Sequence, residues 1–159
     1  MARKIKLLIV DDEVKFLNSL ARRLELRGFE VTKAENGQDA LDYANESQFD
    51  LAMIDLKMPG VSGKQVLEIL KKTHDFIEVI IMTGHGSAEA AGECMKLGAF
   101  SYMPKPYELE KIMETLRQAY AARLKREHHA DPELMKRLDE LESLSNPMKA
   151  VQAMSDLVD

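Results

Sequence analysis

Residues 49–60, Phe-Asp-Leu-Ala-Met-Ile-Asp-Leu-Lys-Met-Pro-Gly, constrain the fold more than any other stretch of this chain. An apolar run, Leu51 to Ile54, leads directly into Asp55, and Pro59-Gly60 then turns the chain. Strands buried on both faces of a parallel sheet read as short apolar runs of this kind. Open α/β sheets place ligand chemistry at the C-terminal ends of their strands. The stretch therefore predicts a buried strand that presents Asp55 at the mouth of a sheet.

The same arrangement recurs along the chain. Ile5 to Val10 is an apolar run ending in Asp11-Asp12-Glu13, and Leu17, Leu20, Ala21 and Leu24 follow at helical spacing up to Gly28. Phe29 to Ala34 reads as a second strand, and Asn36-Gly37 with Ala40, Leu41 and Ala44 as a turn and a second helix. After the third strand, Ser62 can cap a helix carried by Val66, Ile69 and Leu70. Val79 to Met82 is a fourth strand, ending at Thr83-Gly84-His85-Gly86, and Ser87 opens a helix that closes near Gly98. That helix is weakly built, because Ala88-Glu-Ala-Ala-Gly92 offers few large apolar groups. Ala99 to Met103 is a fifth strand, followed by Pro104-Lys105-Pro106 and a long helix with Leu109, Ile112, Met113, Leu116 and Tyr120 on one face. Five strand–helix repeats predict an α/β fold, a doubly wound five-stranded parallel sheet covered on both faces.

Composition narrows the function. Apolar residues make up 45% of 159 residues, enough for one full core. No stretch approaches the roughly 18 continuous apolar residues of a membrane span, and the basic N-terminus is too short for a secretory signal. A single cysteine, Cys94, fits a reducing, cytoplasmic setting and reads as a small packing residue on a helix. A net charge of −5 argues against nucleic-acid binding, which needs a basic face.

Asp11 and Asp12 follow the first strand, Asp55 the third, Thr83 the fourth and Lys105 the fifth. In a parallel sheet these ends point the same way, so three carboxylates, a hydroxyl and an ammonium converge. Clustered carboxylates repel and raise one another's pKa. A hard divalent cation relieves them, and Mg²⁺ suits a site of one or two carboxylates plus phosphate oxygens. A carboxylate nucleophile beside a cation, an ammonium and a hydroxyl matches what phosphoryl transfer requires.

Over roughly residues 4–126 the chain resembles the receiver domains of two-component response regulators, and residues 82–86 and 99–106 look similar to receivers attached to enhancer-binding transcription activators. Asp11-Asp12, Asp55 with Pro59 four residues on, Thr83 with Gly84, Tyr102, and Lys105-Pro106 carry the resemblance. It implies the flavodoxin-like strand order 2-1-3-4-5 and a signalling switch rather than an enzyme. It implies that Asp55 accepts a phosphoryl group from a sensor histidine kinase or phosphotransfer protein. Asp11, Asp12, Asp55 and the backbone carbonyl of Lys57 would hold Mg²⁺ (or Mn²⁺), and Thr83, Gly84 and Lys105 would bind the phosphoryl oxygens. Tyr102 would be the aromatic switch residue and the Lys105–Pro106 bond cis, and the helix 4, strand 5, helix 5 face would carry the output. Lys57 and His85, each two residues past a site residue, would overhang the site and set the phosphoryl lifetime. The alternatives are a phosphorylation-independent interaction module on the same fold and an aspartyl-phosphate hydrolase. Neither Asp11-Asp-Glu-Val-Lys nor Asp55-Leu-Lys supplies the hydrolase's Asp-x-Asp-x-Thr.

This reading divides the chain into a receiver, residues 1–128, and a helical extension, residues 129–159. Asp131-Pro132 and Asn146-Pro147 are helix starts. Leu134, Leu138, Leu141 and Leu144 form one stripe, and Met148, Val151, Met154 and Val158 a second. The extension carries seven acids against three bases, unlike a DNA-reading helix pair. Its stripes could pack back on the receiver, pair with a second copy or lead into a further domain. The expected partners are a kinase, a downstream protein target and a second copy of the chain through the switch face or the extension. A stand-alone receiver is the expectation, with no direct nucleic-acid or membrane binding.

Overall fold

The computed structural model describes residues 3–84, 86–105 and 107–159. Five strands, β1 (Lys6–Val10), β2 (Glu30–Ala34), β3 (Leu51–Ile54), β4 (Glu78–Thr83) and β5 (Ser101–Pro104), form one parallel sheet in the order β2-β1-β3-β4-β5. Between and after them run α1 (Val14–Leu26), α2 (Gly37–Glu46), α3 (Gly63–Thr73), α4 (Ala88–Lys96) and α5 (Leu109–Glu127), and then α6 (Pro132–Glu142) and α7 (Pro147–Val158). Among the described residues no helix is long and apolar enough to cross a membrane.

Side chains alternate between the two faces of a strand, and here that alternation divides the core in two. Leu7, Ile9, Leu51, Met53, Ile80 and Met82 face one side and pack with α1 and α5. Leu8, Val10, Ala52, Ile54, Val79 and Ile81 face the other, against α2, α3 and α4. β5 is an edge strand, which is why Pro104 is tolerated at its end.

Local chemistry sets the helix starts. Asn36, Ser62, Ser87, Asp131 and Asn146 each accept a bond from the first turn of the helix they precede, and Ser62 with Gln65 completes a capping box. α3 corrects one expectation. Its inward residues are Val66, Leu67 and Leu70, whereas Ile69 is 40% exposed. Adjacent apolar residues leave the phase of a helix open by one position, and the entry at Gly63 settles it. α4 is as thinly anchored as its composition suggests, with Cys94 its one fully buried residue.

The extension docks back onto the receiver. Leu138, Val151 and Met154 are buried in the same core as Ile5, Phe29 and Tyr120. Its polar edges are tied as well. Lys125 of α5 pairs with Asp139 and Glu142 at 2.6 Å each, and Arg117 donates to the Leu144 carbonyl at 2.7 Å. α5 is thus covered by the sheet on one side and by α6 and α7 on the other. Eight of its residues, including Thr115, Ala121 and Leu124, are therefore buried, far more than one amphipathic stripe would need.

Candidate functional site

The strand ends converge as the sequence predicts. The Asp55 N–H donates to the Val10 carbonyl at 2.8 Å and the Asp11 N–H to the Ala34 carbonyl at 3.0 Å, so each acid emerges one residue past its strand. One carboxylate oxygen from each of Asp11, Asp12 and Asp55 lies within 4.8 Å of the others. Asp11 and Asp55 are buried and Asp12 is exposed. Burial raises the Asp55 pKa; the Thr83 hydroxyl, hydrogen-bonded to its carboxylate, and Lys105 lower it, while Asp11 and Asp12 raise it further. Asp55 Oδ1 is buried without a hydrogen-bond partner among the described residues.

Lys105 closes the site from the β5 side. Its backbone N–H donates to the Thr83 carbonyl at 2.8 Å, which fixes the start of its stem. Its Nζ lies 2.6 Å from Asp11 Oδ2 and 3.3 Å from Glu13 Oε1. It also stands 4.4 Å above the centre of the Phe16 ring, a cation–π arrangement. Burial alone would lower the Lys105 pKa, but bonds and charge from Asp11, Asp55 and Glu13 outweigh it and leave it raised. The ammonium is therefore a fixed positive charge at neutral pH.

Thr83 is fully buried, and its hydroxyl faces Asp55. Tyr102 lies half-buried against the α2–α4 face of the core, with its hydroxyl out of solvent. A β-carbon placed on Gly86 would stand 1.9 Å from that hydroxyl, so Gly86 is what allows Tyr102 to fold inward. Gly63 performs a similar service under the acceptor. A β-carbon there would meet the Asp55 carbonyl at 2.1 Å, so only glycine lets α3 start this close to the Asp55 backbone.

The other predicted site residues have plainer settings. Lys57 is exposed and lines a cavity of about 270 Å³ with Met58, Lys64, Glu93 and Cys94, between the loop after β3 and α4. Pro59 is exposed in the turn after Asp55. Gly84 is exposed, and a β-carbon there would meet nothing within 4 Å. His85 and Pro106 lie outside the described residues. No pattern in the sequence assigns a role to Glu13, Phe16, Gly63 or Gly86. For Glu13 a signal existed, a third acid in a row after β1.

The model of the response regulator receiver domain family matches residues 7–117. The chain is 37% identical over 118 residues to the transcriptional regulatory protein ZraR of Salmonella typhimurium, which is 74% of this chain and 27% of ZraR. It thus spans about a quarter of that relative's length. A response regulator receiver domain protein from Clostridium thermocellum superposes with a TM-score of 0.69 at 35% identity, covering 73% of this chain and 94% of that one. The beryllofluoride-activated NtrC4 receiver domain dimer matches with a TM-score of 0.70 at 30% identity, over 74% of this chain and 98% of its own. With the strand order, the acidic cluster and the family match in agreement, the chain belongs to the response regulator receiver domain family and is a phosphorylation-activated signalling switch.

Proposed function

We propose that Asp55 is the phosphoacceptor, charged by a phosphohistidine of a sensor histidine kinase or phosphotransfer protein. The observation that carries this is the state of its carboxylate. It is buried, keeps one oxygen without a hydrogen bond among the described residues, and is flanked by a hydroxyl and an ammonium. A lone pair of that carboxylate forms the new P–O bond as the donor's P–N bond breaks. The N–P electron pair stays with the donor imidazole, which takes up a proton from water.

The donor set fits a divalent cation. Three carboxylates within 4.8 Å, one with an orphaned oxygen, repel one another unless a positive charge is shared among them. Asp11, Asp12 and Asp55, with the Lys57 carbonyl, would hold Mg²⁺ or Mn²⁺, which when bound neutralises charge on the transferring phosphoryl oxygens. The chain's own groups do the rest. Lys105 supplies the second positive charge, and Thr83 donates to a phosphoryl oxygen from its buried position. Gly84 leaves the approach beside Thr83 open.

Phosphorylation adds about −1.5 to −2 charges and three acceptor oxygens. Throwing a two-state element from 1:99 to 99:1 takes about 5.5 kcal/mol of differential stabilisation, within reach of a few charge-assisted bonds. Tyr102 and the thinly anchored α4 are the groups free to respond, so the output face is α4, β5 and the uncovered part of α5. It would engage a downstream protein target or a second copy of the chain. The domain assists its own phosphorylation and dephosphorylation and acts on no separate substrate. The cytoplasm, where ATP charges kinase histidines, is the compartment this reading implies. Lys57 and His85 would tune the phosphoryl lifetime, and His85→Ala should change the hydrolysis rate measurably.

The test is intact mass after incubation with Mg²⁺ and acetyl phosphate, with size-exclusion chromatography in parallel. The parent should gain one phosphate and Asp55→Asn none. A gain in Asp55→Asn would overturn the assignment. A size change on loading would place the output in self-association.

A further inference from the structure

Glu13 occupies the residue that caps α1, yet its side chain makes no capping bond. Its backbone N–H donates to Asp11 Oδ1 at 2.9 Å, and its carboxylate turns away from the helix to Lys105 Nζ at 3.3 Å. The Lys105 ammonium thus has two anionic partners, Asp11 and Glu13, and an aromatic face, Phe16, beneath it. The two acids are not equivalent. The Asp11 side chain is 3% exposed and that of Glu13 is 60% exposed.

We propose that Glu13 is a positioning residue that holds Lys105 in reserve and competes with the phosphoryl group for its ammonium. This rests on the reading of Asp55 as acceptor. When negative charge arrives on Asp55, Lys105 must redistribute its three N–H donors. Leaving Asp11 would take a positive charge from a carboxylate out of reach of water, which costs more than leaving an exposed one even where a cation shares that carboxylate. Leaving Glu13 returns an exposed carboxylate to water, which costs little. The Glu13 contact is therefore the one exchanged, while Phe16 keeps the ammonium from swinging out of the site. Glu13 weakens the phosphorylated state by the worth of that contact and so sets how readily the switch is thrown.

The test compares the parent with Glu13→Gln, Glu13→Asp, Lys105→Met and the Glu13→Gln/Lys105→Met double variant. Two readouts are used at fixed Mg²⁺: beryllofluoride titration by ¹⁹F NMR, and the initial rate of phosphate gain from acetyl phosphate by intact mass. Glu13→Gln should lower the half-saturating beryllofluoride concentration and raise the loading rate, each by about two- to fivefold. Glu13→Asp, one methylene too short to reach Lys105, should behave like Glu13→Gln. In the Lys105→Met background, removing the Glu13 charge should change the loading rate less than 1.5-fold (roughly the noise of such cycles). No effect of Glu13→Gln would overturn the proposal. So would a Glu13→Asp variant indistinguishable from the parent, or an equal gain with Lys105 absent, since the charge would then act on the incoming anion directly. A parent that neither gains phosphate nor binds beryllofluoride would instead defeat the assignment of Asp55 itself.

Discussion

Asp50 and Asp55 bracket β3, one residue before it and one after, and they are 2% and 3% exposed. Their surroundings differ. Asp50 accepts from an Arg3 guanidinium nitrogen, from the Lys6 N–H at 2.8 Å, and pairs with Arg123 Nε at 3.3 Å. Asp55 has a buried oxygen without a partner among the described residues and two further carboxylates beside it. The same side chain at the same depth is satisfied at one pole of the sheet and frustrated at the other. A buried charge that is fully paired is tolerated by a fold and is costly to unpair. One left short of partners is held in readiness for a cation and a reacting group. The satisfied pole is also where the extension docks, since Ser155 donates to the Arg3 carbonyl at 3.3 Å and the Arg3 N–H donates to Asp159 at 2.9 Å.

The contrast is broken or sharpened first at Asp50. Asp50→Ala leaves Arg123 with only the longer pairing to Glu127 at 3.9 Å and takes the acceptor from the Lys6 N–H, and should cost about 3–5 kcal/mol in chemical denaturation. The fraction of folded molecules loaded by acetyl phosphate should stay unchanged. A cost below about 1 kcal/mol would mean the pole is not held by this carboxylate. Met154→Ala comes next. Its side chain is fully buried in the core shared by α7, α5 and the sheet, so truncation should cost about 2–5 kcal/mol. A much smaller loss would mean that α7 contributes little to that core.

Asp55→Asn should act in the opposite direction. Burial, and then the charges of Asp11 and Asp12, raise the Asp55 pKa against the opposing pull of Thr83 and Lys105. A carboxylate whose folded pKa lies above its unfolded value lowers stability once ionised and has no such effect when protonated in both states. Asp55→Asn should therefore be more stable than the parent by about 1–3 kcal/mol at neutral pH. The gap should open as pH rises from the ordinary aspartate value near about 4 through the raised value, and stay flat above it. Denaturation curves across that range check the sign, and a gap that widened toward low pH would refute the assignment of strain to Asp55.

Much of the reactive pole was legible because strand ends are. Apolar runs with an acid, a hydroxyl or a lysine after them are enough to place Asp11, Asp12, Asp55, Thr83 and Lys105 together. Which way Glu13 turns was not legible, since a residue at a helix start can cap the helix or reach elsewhere. Phe16 stands outside the Leu17, Leu20, Ala21 and Leu24 spacing that marks α1, and its place under Lys105 depends on the phase of that helix. The stable pole was harder still. Arg3, Asp50, Arg123 and Ser155 are far apart in the chain, and nothing local marks them as partners. The stripes on α6 and α7 announced that these helices would be buried, but a stripe does not say against what. The choice of Leu67 over Ile69 on α3 shows the same limit on a smaller scale.

The smallest expected effect lies at Gly86, in the loop after β4 at the reactive pole. A β-carbon there would overlap the Tyr102 hydroxyl at 1.9 Å, so Gly86→Ala must move either the loop or the ring. The ring is the cheaper of the two. Tyr102 is only half-buried, its hydroxyl has no side-chain partner among the described residues, and an outward rotamer releases it to solvent. The stability change should be roughly 1 kcal/mol, because the overlap is relieved by rotation rather than stored in the core. The functional change should be plainer than the energetic one. If inward Tyr102 belongs to the phosphorylated arrangement, Gly86→Ala biases the molecule against it, and the half-saturating beryllofluoride concentration should rise while Asp55 remains the acceptor. Tyrosine ring resonances in NMR would show whether the side chain has turned outward. An unmoved ring with weakened beryllofluoride binding would place the effect in the loop after Thr83, and an outward ring with unchanged binding would remove Tyr102 from the switch.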